Sequence, residues 1–319
     1  MAIAILGSQS LDERAKVLDI WLRDVLNDSW SVVASGWGFG AGHSLLCHQQ
    51  AWRFFLPAMY AARRLARGYT QSEIAAVDAI LSLAPSMRQV AGALVLIDPH
   101  EALRDDLSGV WHPSLEGVRV QVVRPESSVS SLDYVTSALE LLNRASPRSS
   151  ELVSDHCGAI CFISPEQSAV QGLCVSTTSK SIPGLLYLSP VPTLLSAESL
   201  VHESAHLKLA ILETERELFH NPNARVRTPL RSDPRPISGL LHQVWVLVHL
   251  RELYRDLLRD SSQIVRVNFG KMEARLALHE RDLSDGLAAA EAARSEFTDD
   301  GWRFVEKLMR RAKELTSVD

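Results

Sequence analysis

The hydrophobic pattern of the first third of the chain predicts helices. Ser10 and Glu13 have the spacing of a capping box, which closes the first turn of a helix. Thr70 and Glu73 form a second such pair, and the apolar stretch 45–66 between the two pairs is also typical of a helix. After the first pair, apolar residues recur at alternating spacings of four and three, as on one helix face: Leu11, Ala15, Leu18, Leu22 and Val25.

The middle of the chain has a different pattern, which predicts a small β-sheet. Short apolar runs end at proline at 93–97, 159–163 and 185–188. Valine alternates with polar residues around position 120, which is the period of a strand. A helix around 131–143 is expected to interrupt these strands.

The last third returns to helical periodicity. Ser196, with Glu198 in the first turn, is expected to cap a helix that Asn221 and Pro222 end. A proline-rich loop over 219–236 should follow it. Further helices are predicted at about 237–259, 283–295 and 299–315.

These patterns together predict an α+β fold, predominantly α-helical with a small central β-sheet. We expect a single catalytic domain over residues 1–319. Its parts would be a helical region (1–90), a mixed α/β region (91–190) and a helical region (191–319).

Composition limits the class of protein. Apolar residues make up 46% and charged residues 22%, as in ordinary globular proteins, so disordered, collagen-like and disulfide-scaffold classes are excluded. A net charge of −5 implies no broad nucleic-acid footprint. The four cysteines are too few for a disulfide framework, and Cys157 and Cys161 have neither redox nor zinc-ribbon spacing, so buried or idle thiols are expected.

The apolar runs are too short for a membrane span, which needs about 18 residues or more. The first residues lack the basic start and cleavage site of a secretory signal. We therefore expect a cytoplasmic protein without a membrane partner.

One motif carries chemistry: His202, Glu203, then His206 four positions after the first histidine. On a helix this spacing puts both imidazoles on one face, where they can converge on one ion. Glu203 is placed to hold or deprotonate a metal-bound water. Leu209 and Leu212 stand where the extended zinc-protease pattern needs glycine and histidine, so that protease class is excluded.

The third ligand has to come from another part of the chain. Glu213 lies about 10 Å along the same helix from His206, too far to share the ion. The next helix offers His242, His249 and Glu252. The two histidines are seven positions apart, so at most one completes the site, and an antiparallel neighbouring helix favours His242.

A proline-rich segment precedes that helix and carries Arg231, Asp233 and Arg235. Neighbouring prolines restrict the backbone, so the two arginines are preset in position. An arginine fork matches a carboxylate in a bidentate way. The segment is consistent either with a carboxylate-binding site or with a rigid turn whose arginines pair with Asp233 or meet solvent.

The motif His202-Glu203-x-x-His206, followed by Arg231-x-Asp-Pro-Arg235-Pro and then Gly239-Leu-Leu-His242, resembles the HExxH-motif proteins of peptide-modification gene clusters. The resemblance covers about residues 199–250, with Leu230 where many members have tryptophan. It implies an enzyme that uses iron(II), 2-oxoglutarate and oxygen to β-hydroxylate residues of ribosomally synthesised precursor peptides.

The resemblance also implies roles for single residues. His202, His206 and His242 would be iron ligands, and Arg231 or Arg235 would anchor the distal carboxylate of 2-oxoglutarate. Glu203 would orient a ligand or water. Because oxygenases of this kind commonly use two histidines and a carboxylate, Asp233 and Glu252 also stay open as the third ligand.

Two other functions stay open. A zinc metallopeptidase would use the same histidines, Glu203 as general base and a third ligand such as Glu252. A metal-free or metal-structural binding module is the third possibility. The paired arginines favour the oxygenase, which needs them for its co-substrate. Glycine alternates at 36–42 without the lysine of a phosphate loop, which favours a connector between helices, and the sequence leaves the oligomeric state open.

Overall fold

The computed structural model describes residues 87–90, 93–96, 120–122, 129–165, 176–178, 185–228 and 231–314. The predicted N-terminal helices and the segment 36–42 lie outside these residues. The described chain is mostly helical with a small sheet, as the α+β prediction requires. It falls into two compact units, one containing the strands up to residue 188 and the other containing 137–153 and 193–314. The prediction of a single catalytic domain stays a prediction.

The first unit is built on a six-stranded sheet in the order β1-β2-β4-β6-β5, with β3 also paired to β4. Its centre is parallel (β2, β4 and β6), and β1, β3 and β5 add antiparallel pairs. The strands are β1 (Met87–Val90), β2 (Ala93–Leu96), β3 (Val120–Val122), β4 (Ala159–Pro165), β5 (Ser176–Thr178) and β6 (Leu185–Leu188).

The central strands are buried on both faces. Phe162 on β4 and Tyr187 on β6 are fully buried, which explains why both strands are continuous apolar runs without alternation. Cys157 and Cys161 are free, buried thiols, and burial raises the pKa of each to about 12. The prediction of buried thiols is therefore confirmed for these two.

Between β3 and β4 lie helices α1 (Val129–Ala145) and α2 (Pro147–His156). The second unit adds α3 (Thr193–Glu215), β7 (Arg225–Thr228), β8 (Arg231–Pro236), α4 (Ile237–Arg259), α5 (Gln263–Ala292) and α6 (Asp299–Glu314). Helix α4 packs against α3, α5 and α6 and is buried along most of its length. This central position explains its long apolar sequence.

Several predicted boundaries were wrong. Helix α3 begins at Thr193, so Ser196 lies buried inside it and does not cap it. The helix ends at Glu215, before Asn221 and Pro222, because the chain there pairs with the segment ahead of α6 through a Phe219–Phe297 bridge. The predicted loop over 219–236 contains an antiparallel hairpin of β7 and β8. Proline is compatible with β8 because a two-stranded ladder leaves one edge of each strand unpaired.

Other elements were missed. Helix α5 extends from Gln263, far ahead of the predicted 283–295, because its first half buries only a narrow stripe that contains Val265 and Met272. The sequence also did not predict α2, β1 or β5. None of the described helices is long and apolar enough to cross a membrane.

Candidate metal centre

Helix α3 brings the two motif histidines together. The Nε2 atoms of His202 and His206 lie 3.1 Å apart, with the ring planes edge to face. Residues four apart on a helix share a face, so this contact follows from the sequence spacing.

Helix α4 adds a third imidazole. His242, in its second turn, has its Nδ1 atom 3.0 Å from Nδ1 of His206, and the two rings are stacked. Next to this contact, the indole N–H of Trp245 donates a 2.8 Å hydrogen bond to the carbonyl oxygen of Ala205. This bond joins the two helices beside the histidines, where a shift of either helix would separate the rings.

The line of contacts ends at a carboxylate. The Nε2 atom of His242 lies 3.1 Å from Oε2 of Glu213, on the last turns of α3. An ionised carboxylate only accepts, so the His242 Nε2–H donates to it. When the His242 ring is neutral, its Nδ1 accepts from the His206 Nδ1–H, and Nε2 of His206 accepts from the His202 Nε2–H. The three imidazoles and Glu213 thus form one hydrogen-bonded line.

Burial keeps the middle ring neutral. Burial, reinforced by the neighbouring His202 and His242, lowers the pKa of His206 well below its usual range. A neutral imidazole is the form that ligates a metal. The side chain of His202 is 38% exposed, so the line opens to solvent at that end.

Glu203 is almost fully buried, and its Oε1 lies 3.9 Å from Nε2 of His202. That distance is too long for a direct hydrogen bond. The carboxylate is close enough to influence His202 electrostatically.

A partly buried polar cluster lies one helical turn before His202. Arg275 of α5 binds Glu198 through two hydrogen bonds, and the Tyr254 hydroxyl of α4 donates to the same carboxylate. His279 Nε2 lies 4.0 Å from Glu198 Oε1. This cluster links α3, α4 and α5 next to the histidines. The cluster was not predicted from the sequence, although Glu198 precedes His202 by the four positions that place both on one helix face.

The other candidate third ligands have different neighbours. His249 packs edge to face against Trp245, and its Nδ1 lies 4.0 Å from Oε2 of Glu252. Glu252 is held by Arg311 of α6 in a two-bond ion pair. Of the residues that the sequence offered on α4, His242 is the one that contacts His206.

The arginines lie on the hairpin before α4. Arg235 is 30% exposed, and its Nε lies 3.9 Å from Oδ2 of Asp233, which is 55% exposed. Arg231 pairs with Thr228 in the β7–β8 ladder, and its side chain lies outside the described residues. Arg235 and Asp233 are therefore loosely paired, but they lie on strand β8 and not in the rigid turn that the sequence left open.

The donor types suit iron(II) or zinc, but the rings form a line. Within the described residues, no group of three or more His, Cys, Asp or Glu side chains is arranged to hold a metal ion. His206 offers Nδ1 to His242 and Nε2 to His202, on opposite sides of one ring, so a single ion on all three rings requires one ring to turn. The assignment of His202, His206 and His242 as metal ligands stays a prediction.

No protein-family model matches the sequence, and a search of curated proteins gives no significant match. The resemblance to the HExxH-motif peptide-modification proteins therefore depends on the residues quoted above.

Proposed function

We propose that the chain is an iron(II)- and 2-oxoglutarate-dependent β-hydroxylase that acts on a side chain of a ribosomally synthesised precursor peptide. The observation that carries this proposal is the meeting of His202, His206 and His242 across α3 and α4, with ring nitrogens 3.0 and 3.1 Å apart. Imidazole ligands suit iron(II), and three of them leave positions open for a keto acid and oxygen.

Each residue then has a task. Iron(II), when bound with 2-oxoglutarate and oxygen, supplies the oxidising chemistry for C–H hydroxylation. The three imidazoles hold the metal, and the burial that keeps His206 neutral favours that role. Arg235 or Arg231 on the hairpin binds the distal carboxylate of 2-oxoglutarate through its planar fork. Glu203, buried beside His202, orients that ligand or a water molecule.

The test is a spectral titration of the full chain. The protein is purified without oxygen, reconstituted with iron(II), and titrated with 2-oxoglutarate. A visible charge-transfer band that needs both additions is expected, because a keto acid chelated to iron absorbs in that way. Retained zinc without a band would overturn the proposal. Loss of all metal on desalting would favour the metal-free module, whose hydrogen-bonded line already satisfies the rings.

A zinc metallopeptidase is the second candidate, and one observation favours it. Glu203 is buried at 3% exposure and follows the first histidine, as the general base of an HExxH peptidase does. Its expected glutamate ligand, Glu252, is already engaged by Arg311, so binding zinc there would break a partly buried ion pair.

The variant Glu203→Gln separates the two candidates. The amide keeps the shape of the side chain but cannot act as a base. An oxygenase should keep its metal and part of its turnover, whereas a peptidase should lose cleavage by about 100-fold or more. Mass spectrometry of a candidate peptide substrate distinguishes a gain of one oxygen atom from chain cleavage.

A further inference from the structure

We propose that Glu213 is a positioning residue for His242, setting which ring nitrogen of that histidine is presented to the metal. The role of Glu213 toward a metal rests on the proposed function, whereas the hydrogen bond between Glu213 and His242 does not. Glu213 Oε2 lies 3.1 Å from His242 Nε2, and the two side chains are 24% and 20% exposed.

The hydrogen bond fixes the tautomer of His242. A carboxylate has acceptors only, so the single proton of a neutral His242 ring has to be on Nε2. Its lone pair is then on Nδ1, the nitrogen that lies 3.0 Å from His206. Histidine ligands commonly donate their other N–H to a carboxylate, which fixes the ring orientation and raises ligand basicity. Glu213 would supply that bond, although it is too far along α3 to join His206 on the ion.

The surroundings of Glu213 indicate that its carboxylate does not serve to stabilise the fold. Its second oxygen, Oε1, is buried and has no hydrogen-bond partner among the described residues. A buried, unsatisfied carboxylate oxygen costs stability, and such groups in native structures call for a functional explanation. Orienting the His242 ring toward His206 provides such a functional explanation.

The first experiment examines the ring without metal. Two-dimensional ¹⁵N NMR of the metal-free, histidine-labelled full chain reports the tautomer of each histidine, and the His242 signals are assigned by their loss in His242→Gln. The wild-type chain should show His242 protonated on Nε2. Glu213→Gln should give a mixture of tautomers, whereas Glu217→Gln, the same change at an exposed site four positions on, should not. A wild-type His242 protonated on Nδ1 would overturn the proposal even if the variant fails to fold.

The second experiment measures metal affinity with cobalt(II), whose visible ligand-field bands report the ligand set. Glu213→Gln should weaken cobalt binding about 10–100-fold and change the bands, and Glu217→Gln should not. Equilibrium titration with cobalt(II) also measures the weaker site of His242→Ala, and in that background Glu213→Gln should cause no further loss, because Glu213 acts through that ring. An equal loss in both backgrounds would indicate a merely structural role and contradict the proposal.

The two experiments separate the inference from the proposed function. If wild type binds no metal but His242 is held as the Nε2–H tautomer by Glu213, the proposed function fails and the positioning role stands. If wild type binds metal and Glu213→Gln binds it equally well, the function stands and the role of Glu213 is refuted.

Discussion

The Nδ1 atoms of His206 and His242 lie 3.0 Å apart, although 36 positions separate these residues in the chain. One ring has to donate and the other accept. A neutral His242 that donates to Glu213 through Nε2 has its lone pair on Nδ1, so His206 is then the donor. The relation between α3 and α4 is thus part of the candidate site. A change in how these helices pack would alter the site without any change in the HExxH motif.

Replacing any of the three histidines should remove the metal. His202→Ala, His206→Ala and His242→Ala each delete one imidazole from a set of three, and the remaining two should not retain iron(II) through desalting. Metal content after anaerobic reconstitution measures this. His220→Ala, which removes an exposed histidine, is the matched control and should keep the wild-type content. Full retention of metal by His242→Ala would show that a residue other than His242 is the third ligand.

Arg235→Ala should weaken 2-oxoglutarate binding on the order of 10–100-fold, because a charge-assisted hydrogen bond to a carboxylate is lost. The iron-dependent titration gives the dissociation constant. Arg227→Ala removes an exposed arginine from the partner strand β7 and should leave the constant unchanged. If Arg231→Ala alone shows the loss, Arg231 is the anchor and Arg235 a bystander.

The sequence predicted the elements whose hydrophobic pattern and boundary residues lie within the element itself. Helix α4 was expected at about 237–259 and spans Ile237–Arg259, because Pro236 ahead of it and a long apolar run define it without reference to neighbours. Strand β6 was likewise expected over the four residues that it occupies, since its apolar run is bounded by turn residues.

Features that depend on packing were not predictable. The contact of Glu213 with His242 arises from the alignment of α3 and α4, which no spacing within one helix reveals. The bonds from Arg275 and Tyr254 to Glu198 join three helices in the same way. For the site, the sequence predicted that His202 and His206 share a helix face and favoured His242 among several residues left open, but it could not predict which nitrogen each ring presents.

Two glycines should tolerate a methyl group poorly. A Cβ on Gly301 would lie 1.9 Å from the backbone oxygen of Leu218, and one on Gly286 would lie 2.9 Å from Cγ2 of Val244. Gly286→Ala should therefore cost about 1–3 kcal/mol of unfolding free energy, and Gly301→Ala more, because backbone yields less than a side chain.

The control for this prediction is Gly270→Ala, at an exposed position of helix α5, where a Cβ meets nothing within 4 Å. This variant should gain up to about 1 kcal/mol from helix propensity. Urea denaturation of the three variants measures the order. A Gly301→Ala protein as stable as wild type would show that α6 does not pack this closely on Leu218.

His279 lies among charged and titratable neighbours of both signs. Glu198 and Asp282 favour its charged form, whereas Arg275 and His202 oppose it. Burial is the largest effect, and it lowers the pKa of His279 below the usual value of 6.5. The folded protein therefore resists a proton that the unfolded chain accepts.

The unfolding free energy of the metal-free protein should consequently fall as the pH falls below about 6.5, and the fall should level off once the pH passes the lowered pKa of the folded state. Above about pH 7.5 His279 is neutral in both states and contributes no slope. Urea denaturation between pH 7.5 and 5.5 measures the effect. His206, whose pKa is also lowered by burial, contributes with the same sign, so His279→Gln should reduce the slope without abolishing it. The exposed His220→Gln variant should keep the wild-type slope. A wild-type slope in His279→Gln as well would show that His279 takes up its proton as readily in the folded protein as in the unfolded chain.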